Sequence, residues 1–384
     1  MANLCKLLFT AALTTALATI WPANLRAAGN HPEVVTNNDL KGSNTVSFFK
    51  FTGTTLKTPV TAPTGGKGIG GGFPGLNRIA LGATSPTVVC GFVSDAGSGD
   101  VAVFKVVNKV ITKVGNFKDP HGSGKAQGIG LAVTRNFVFA AYSSTKNIGV
   151  WQILPGCKLK LSGTYNSAGT VAGMRASPNF KTLVVSYGAG VNKVDSFSIA
   201  ANGKLTEHGP YSATGSAAGV DISADSAYAI FGDTTKSTTQ VEIYPINSDG
   251  SLGKDNKFGG DGSLGSGIGS SDVWLSADEK YLFVSNNSSK QITSLAFGEG
   301  PLSLSYISIT SLNNPGNEIV STAGINSILT GYLVVAEDGS PDSSVGLLQI
   351  NSNGSTTEVS GSPFKISSGG SGLQSLIVGP PRPF

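Results

Sequence analysis

Apolar and polar residues alternate in short segments along most of the chain. Examples are "GDVAVFKV" (Gly99–Val106) and "TQVEIYPI" (Thr239–Ile246). A period of two residues is typical of a β-strand whose two faces meet different surroundings. A shorter apolar run such as "YLFVSNN" (Tyr281–Asn287) precedes each segment, and an Asn-Gly or Asp-Gly pair often follows it, as in Asn202–Leu205. The pattern predicts strand–turn–strand units, in which these pairs supply the positive φ of a two-residue hairpin turn.

The unit around "YLFVSNN" recurs seven times, at intervals of 45 to 55 residues. The fourth residue of each copy is Val35, Cys90, Ala140, Val185, Ile230, Val284 and Val335. Repeats of about this length with room for four strands predict an all-β fold, a seven-bladed β-propeller built from four-stranded antiparallel blades. A pair of β-sandwich domains is the alternative, and it explains the strands but not the seven-fold repeat.

The two ends of the repeat array complement each other. The first copy, "EVVTNND", has no inner strand before it, whereas an unassigned apolar segment, Leu373–Pro381, follows the last copy. We therefore expect this C-terminal strand to join the N-terminal blade and close the ring, which removes the open sheet edges that promote aggregation. The predicted domain is a single propeller over residues 29–384.

The first 28 residues have the layout of a secretory signal peptide. Lys6 precedes the apolar run "LLFTAALTTALATI", and small residues follow near Ala27 and Ala28. The run is shorter than the ~20 residues of a membrane-spanning helix. We expect cleavage and a secreted or periplasmic protein that has no membrane association afterwards, with an uncleaved anchor as the alternative.

The charge is low and gives no sign of a polyanionic partner. Charged residues make up 13% of the chain, and the formal net charge of +4 shows no basic run. We expect neither nucleic acid nor an anionic membrane as a partner, and a closed ring makes a monomer the default. After the signal peptide, Cys90 and Cys157 remain. The apolar surroundings of Cys90 favour a buried small side chain, and a disulfide between the two, which export permits, is the alternative.

Two of the repeats carry a family resemblance. The stretches "ISADSAYAIFGDTTKSTTQVEIYPINSDGSL" and "LSADEKYLFVSNNSSKQITSLAF" resemble the blades of the YVTN and lactonase-like seven-bladed propellers. These blades run from a Ser-Pro-Asp-Gly turn through a Tyr-Val strand to a Val-x-Val-Phe strand. The family includes 6-phosphogluconolactonases, a fungal carboxymuconate-cyclising enzyme and exported proteins without known activity. The resemblance covers nearly all of the chain after the signal peptide and implies the propeller fold.

The resemblance also implies where an active site would lie. Enzymes of this family place Arg and His just before the inner strand of one blade, and a Glu after the next strand in an Asn-Glu pair. In this chain the first of these positions is occupied by small or acidic pairs in three blades: Ala172 and Gly173, Ala218 and Gly219, and Ser271 and Asp272. The family's acid–base set is not reassembled in any one blade, which weakens the case for a sugar-phosphate lactonase.

Four residues remain candidates for catalysis. Arg78 precedes the inner strand of blade 2, and an Arg can hold a carboxylate or phosphate. Asp272 begins an inner strand, and Glu337 in "VVAEDGS" is the closest match to the Asn-Glu position. His121 lies on a glycine-rich loop before the inner strand of blade 3, where it could reach the channel mouth. The structural alternatives are a turn cap for Asp272 and solvated loop positions for Glu337 and His121.

No resident cofactor is expected, although Ca²⁺ is a possible ligand. Asp272, Asn326 and Glu337, with Asn77, could imitate the Glu, Asn and Asp set of calcium-dependent hydrolases of this shape. The glycine-rich stretches Thr64–Gly75 and 259–272 are interpreted as crossovers between blades, because no helix follows either of them.

Two functions of different class follow. The first is an exported propeller that binds a small lactone or glycan, or a surface protein, through its channel mouth and loops. The alternative is a lactone hydrolase, a carboxylic ester hydrolase like the 6-phosphogluconolactonases. The incomplete acid–base set favours the first, and the whole-chain resemblance favours the second.

Overall fold

Seven antiparallel sheets follow one another along the chain. The computed structural model describes residues 33–70, 77–85, 87–107, 110–121, 127–235, 237–299, 302–313, 318–327, 330–339, 343–366 and 375–379. These residues all belong to one compact unit, His31–Phe384. Each sheet has four main strands, and blades 4 and 7 carry one additional short strand. No helix among the described residues is long and apolar enough to cross a membrane.

The strands of the first four blades have the following bounds. Blade 1 contains β1 (Glu33–Asn37), β2 (Thr45–Lys50), β3 (Val60–Pro63) and β30 (Ser375–Gly379). Blade 2 contains β4 (Ile79–Ser85), β5 (Val88–Asp95), β6 (Asp100–Val107) and β7 (Val110–Lys118). Blade 3 contains β8 (Ile129–Val133), β9 (Phe137–Tyr142), β10 (Asn147–Leu154) and β11 (Lys158–Asn166). Blade 4 contains β12 (Gly173–Ala176), β13 (Thr182–Ser186), β14 (Lys193–Ile199), β15 (Leu205–Glu207) and β16 (Tyr211–Ser212).

The remaining three blades repeat the arrangement. Blade 5 contains β17 (Ala217–Ile222), β18 (Tyr228–Asp233), β19 (Gln240–Pro245) and β20 (Asn256–Gly259). Blade 6 contains β21 (Ser270–Leu275), β22 (Tyr281–Asn286), β23 (Gln291–Glu299) and β24 (Leu302–Ser311). Blade 7 contains β25 (Glu318–Ser327), β26 (Thr330–Asp338), β27 (Ser344–Ile350), β28 (Thr356–Glu358) and β29 (Phe364–Lys365). A 3₁₀-helix at Pro155–Cys157 and one α-helical turn, α1 (Gly188–Val191), complete the described elements.

The innermost strand of each sheet lies at the centre of the ring, and in blade 1 this strand is β30. The strands β30, β4, β8, β12, β17, β21 and β25 contact one another in that cyclic order, and β25 returns to β30. The C-terminal strand β30 pairs with β1, with Ile377 opposite Val35. The seven-bladed propeller and its closure by the C-terminal strand, both predicted from the repeats, are therefore confirmed.

The hydrophobic core is divided among the junctions between blades. The described residues form seven buried clusters, one at each pair of neighbouring blades, including the pair formed by blades 7 and 1. Alternation along a strand produces this division: Phe104 on β6 packs toward blade 1, and its neighbour Val103 packs toward blade 3. Each sheet thus has two apolar faces that only the ring can bury, and the period of two in the sequence reflects this requirement.

The Asn-Gly and Asp-Gly turns differ from the predicted two-residue form. The amide of Ala200 donates to the carbonyl oxygen of Lys204, and the amide of Gly203 donates back to that of Ala200. Three residues therefore lie in the loop, and only Gly203, with φ of 83°, takes a positive φ. This is the hairpin in which a type I turn ends on a left-handed glycine. The Asn247–Ser251 turn has the same two hydrogen bonds.

Cys90 and Cys157 form a disulfide, contrary to the favoured expectation of a buried free thiol. Their Cα atoms are 5.5 Å apart, and both residues have no solvent exposure. Cys90 lies on β5 of blade 2, whereas Cys157 ends the 3₁₀-helix of blade 3. The bond therefore links two neighbouring blades covalently across their shared apolar cluster.

Candidate functional site

The turns of the propeller lie on two faces, which carry different chemistry. We call upper the face that carries the starts of the inner strands and the turns between second and third strands, and lower the opposite face. Four of the predicted site residues, Arg78, Asp272, Glu337 and Asn77, lie in or beside such upper segments. The four residues lie at strand ends on the upper face, as expected, but their side chains lie between different pairs of blades.

Arg78 is paired inside the protein near the start of blade 2. Its Nη1 lies 2.9 Å from Oδ2 of Asp39, which follows β1, and neither side chain has any solvent exposure. Burial lowers the pKa of Arg78, while the negative charges of Asp39 and Asp338 act in the opposite direction. Asp39 also accepts a hydrogen bond from the amide of Ile69 in the crossover between blades 1 and 2. Arg78 therefore joins blades 7, 1 and 2 electrostatically.

Asp95 is a site residue that was not predicted from the sequence. It is the last residue of β5, so Arg78 and Asp95 lie, within one blade, close to the two positions at which the resemblance places Arg or His and Glu. Its Oδ1 accepts hydrogen bonds from Thr64 and Asn44 at 2.6 and 2.8 Å. Burial raises the pKa of Asp95 to about 7 despite these hydrogen bonds. The signal was available in "FVSDAG", where Asp95 comes two residues after Val93, as Glu337 comes two residues after Val335 in "VVAEDG".

Asp272 lies on the inner strand β21, as predicted, and its side chain is 3% exposed. A bulge between Ser270 and Asp272 shifts the register of this strand against β22. The carboxylate lies against Gly219 on the inner strand of blade 5, where an added Cβ would clash with it. Asp272 is therefore held at the channel wall between blades 5 and 6.

Glu337 is buried between blades 6 and 7 rather than solvated. Its Oε2 accepts a hydrogen bond from Ser344 at 2.7 Å, whereas its Oε1 has no hydrogen-bond partner among the described residues. Burial raises the pKa of Glu337 to about 8, so the carboxyl is protonated at neutral pH. A protonated carboxyl is a poor ligand for a cation, because metal ligands must be deprotonated.

As the pH rises from 5 to 7, the titration of Glu337 alone is expected to lower the free energy of unfolding by about 3 kcal/mol. The ordinary pKa near 4.5 rises to about 8 on folding, so the folded protein binds a proton that the unfolded chain has released. Stability therefore decreases with rising pH in this window. Urea unfolding of Glu337→Gln beside the wild type should show a shallower decline, and identical slopes would contradict this role of Glu337.

The proposed calcium ligands are not brought together. Glu337 pairs with Ile319 at the upper end of β25, whereas Asn326 pairs with Gly331 at its lower end. Seven residues of extended strand separate the two positions, roughly 20 Å. No group of three or more His, Cys, Asp or Glu residues in the described part of the chain could hold a metal ion. The side chain of Asn326 lies outside the described residues.

Asn77 and His121 occupy positions that the sequence did not indicate. Asn77 reaches across blade 3, and its Oδ1 accepts a hydrogen bond from the amide of Met174 in blade 4 at 3.4 Å. His121 is exposed, and its Nε2 lies 2.8 Å from Oγ1 of Thr164 on β11, the outermost strand of blade 3. His121 thus lies at the periphery of the ring and not at the channel mouth.

An accessible charged pair, which was not predicted from the sequence, lies on the inner strands of blades 4 and 5. Nη2 of Arg175 on β12 is 3.0 Å from Oδ1 of Asp221 on β17, and the Arg175 side chain is 41% exposed. Asp221 also accepts hydrogen bonds from the amides of Ile222 and Leu275, both at 2.9 Å. Blades 5 and 6 therefore hold the carboxylate, and the carboxylate orients an arginine of blade 4.

Known structures resemble this chain over almost its whole length. A protein of Lactobacillus plantarum is 16% identical with a TM-score of 0.69, covering 91% of this chain and 99% of its own. A candidate 6-phosphogluconolactonase of Bacteroides fragilis is 16% identical with a TM-score of 0.68, covering 92% and 99%. The periplasmic gluconolactonase of Pseudomonas aeruginosa is 15% identical with a TM-score of 0.67, covering 90% and 99%. This chain has the fold of the lactonase-like propellers. No protein-family model matches the chain, and no curated protein sequence does.

This lactonase-like propeller packs its inner strands tightly where the resemblance implies Arg and His. An added Cβ on Gly173 would clash with the carbonyl oxygen of Ala218, and one on Gly219 would clash with the backbone of Asp272. Larger side chains at these two positions would require the backbone to move. The small residues are thus explained by close approach of the strands, and the accessible charge lies further down the channel wall, at Arg175.

Proposed function

We propose that the protein hydrolyses a small lactone in its central channel. The observation that carries the proposal is the Arg175–Asp221 pair, because it presents a partly exposed guanidinium on inner strands that line the axis. The pair joins Nη2 of Arg175 to Oδ1 of Asp221, which leaves the guanidinium other N–H groups that can face a ligand. An arginine in this setting can hold a carboxylate or polarise a lactone carbonyl.

The proposed roles follow from the positions along the strands. Asp221 orients Arg175, which binds the carbonyl oxygen where negative charge develops as water adds. Asp272, two residues up the channel from the level of Asp221, removes a proton from the attacking water. Along a strand this offset is about 7 Å, which suits a single lactone ring with its substituents. The carbonyl carbon–ring oxygen bond then breaks, and the ring oxygen takes up a proton to give the hydroxy acid.

We also propose that the protein acts after export. Three observations support this: the signal-peptide pattern of residues 1–28, the Cys90–Cys157 disulfide, and the fold shared with a periplasmic gluconolactonase. Disulfides form and persist chiefly in oxidising compartments. The proposal also retains a monomer without a resident cofactor.

Proton release from a panel of sugar and acyl lactones tests the hydrolase. Removing one charge-stabilising donor commonly lowers turnover by about a hundredfold or more, so Arg175→Met and Asp272→Asn should each do so. Arg135→Met serves as the matched control, because Arg135 is an exposed arginine on a turn of blade 3. If the purified protein releases no protons above the buffer rate with any lactone, the hydrolase proposal is wrong.

Binding without turnover is the second candidate, and the burial of Asp272 favours it. A base that is only 3% exposed has little access to water. In that case calorimetry should detect a hydroxy acid such as gluconate, or its lactone, binding without product formation. Arg175→Met should abolish the heat of binding, whereas Arg135→Met should preserve it.

A further inference from the structure

A polar pocket opens between blades 7 and 1, near the lower face and away from the central channel. Its volume is about 430 Å³, within the range of roughly 300–1,000 Å³ that is usual for small-molecule sites. Blade 7 lines it with Tyr332, Gln349 and residues 357–360, and blade 1 lines it with Thr54 and Thr55. These two threonines belong to the turn between β2 and β3, which is opposite β26 of blade 7.

Three of the lining residues form a row across the strands of blade 7. Tyr332 on β26 pairs with Gln349 on β27, and Gln349 pairs with Thr357 on β28. Residues directly opposite each other in an antiparallel sheet project from the same face. Tyr332 belongs to the apolar cluster that joins blades 7 and 1. The row therefore faces the turn of blade 1 and forms one wall of the pocket.

The one acidic residue of the lining directs its carboxylate away from the pocket. Glu358 follows Thr357 on β28, so its side chain projects from the opposite face of blade 7. Its Oε2 accepts a hydrogen bond from the amide of Asn313, in the crossover from blade 6, at 2.7 Å. The described lining residues include no Lys or Arg. The pocket therefore presents neutral polar groups.

Four of these neutral groups form no hydrogen bond with a described residue. They are the hydroxyls of Tyr332, Thr54 and Ser360 and the side-chain amide of Gln349. Hydroxyl and amide side chains both donate and accept hydrogen bonds. The hydroxyl of Thr357, beside them, accepts one from the Asn351 amide group at 3.1 Å. A ligand that carries several closely spaced hydroxyls would match this set of donors and acceptors.

The pocket exists because the turn of blade 1 is short. Four residues separate the paired Phe51 and Leu56 in this turn, whereas five separate Ile199 and Leu205 in blade 4. The equivalent turns of blades 5 and 7 also have five residues between their paired ends. An internal backbone hydrogen bond closes the short turn, so this wall of the pocket is formed without a ligand.

The longer turns cover the equivalent position of the preceding blade. Gly203 in the turn of blade 4 lies against Phe137 of blade 3, where an added Cβ would be 2.6 Å from the ring. The turn of blade 7 covers Tyr281 of blade 6 in the same way. Phe137 and Tyr281 occupy the place of Tyr332 in their copies of the repeat. In the short turn, an added Cβ on Gly53 would meet no described atom within 4 Å.

We propose that this pocket binds an uncharged sugar of one or two rings. Sugar hydroxyls donate and accept hydrogen bonds, as the lining groups do. The lack of Lys and Arg among the described lining residues disfavours a carboxylated or phosphorylated sugar. The wall on blade 7 consists of paired strands, so little of the protein has to be ordered on binding. The pocket is separate from Arg175 and Asp272, and the proposal does not depend on the proposed hydrolysis.

Saturation-transfer NMR with maltose, cellobiose, lactose and sucrose provides the test. A few neutral hydrogen bonds correspond to a Kd of about 1 mM, so each sugar is titrated to about 10 mM. At least one of them should bind, and Gln349→Met and Tyr332→Phe should each weaken that binding by about fivefold. Gln152→Met is the matched control, because Gln152 is exposed and occupies the place of Gln349 in the repeat of blade 3. Unchanged thermal unfolding of the variants verifies folding.

Each alternative outcome overturns the proposal in a distinct way. Binding of none of the four sugars at about 10 mM would exclude an uncharged-sugar site of the expected affinity. Equally tight binding of sorbitol, which has the hydroxyls but no ring, would mean that a sugar ring is not recognised. Tighter binding of glucuronate than of glucose would assign the site to an anion. Equal weakening by Gln349→Met and Gln152→Met would place the sugar elsewhere. Sugar binding that only the two pocket variants weaken supports the proposal.

Discussion

Removing the Cys90–Cys157 disulfide is expected to lower the free energy of unfolding by about 4 kcal/mol. The two cysteines are 67 residues apart in sequence. Without the bond, the unfolded chain gains the conformational freedom of a loop of that length. The loss corresponds to a decrease of roughly 5 °C in Tm for a domain of this size. The bond also connects blades 2 and 3, so this junction should be the first to open in the reduced protein.

Urea unfolding with and without a thiol reductant measures the effect. The double variant Cys90→Ala and Cys157→Ala should unfold at the urea concentration of the reduced wild type, and reductant should not change its midpoint further. Hydrogen exchange should show faster exchange in β5 and β10 than in strands of blade 5, which has no disulfide in the described residues. If the wild-type midpoint is the same in both redox states, the predicted contribution is wrong.

Arg78→Met is expected to cost about 3–5 kcal/mol of stability, because it leaves buried carboxylates without their cation. Both Arg78 and Asp39 are fully buried, and Asp338 adds a second negative charge near the guanidinium. A Met side chain fills much of the volume but cannot neutralise either acid. The effect should therefore exceed that of a neutral change of the same size elsewhere in the core.

A double-mutant cycle separates the pairing from the packing. Arg78→Met and Asp39→Asn should each destabilise strongly, and the double variant should cost less than the sum of the two. The same variants test the catalytic assignment of Arg78 made from sequence. Additive costs would contradict the pairing. Lactone turnover that falls in Arg78→Met under conditions where the protein remains folded would restore a catalytic role to this residue.

The fold was predictable because its physical requirement repeats in every blade. Each blade must bury two faces, so the alternation around Val35 and Val284 recurs at nearly constant spacing. The missing inner strand of blade 1 was likewise visible as the spare segment that forms β30. The form of the Asn-Gly turns was not, because Gly203 alone can supply the positive φ and the loop length depends on hydrogen bonds to Ala200.

The candidate site was less predictable because its contacts join blades that are distant in sequence. Cys90 meets Cys157, and Asn77 meets Met174, only after the blades have been arranged around the axis. The pattern placed Asp272 on an inner strand but gave no way to see that Gly219 packs against it. Arg175 was passed over because it lies within a strand and not before it, whereas the resemblance directed attention to the strand starts.

The pairing of β1 with β30 determines when the ring can close during protein synthesis. During synthesis, residues 33–37 leave the ribosome more than 300 residues before their inner partner, residues 375–379, exists. At typical synthesis rates, the inner edge of β1 would remain unpaired for roughly 20 to 70 seconds. The other six blades can each assemble from neighbouring sequence in that interval. Ring closure is therefore the final step of folding, and a nascent chain is most vulnerable to pairing with another copy at this one edge.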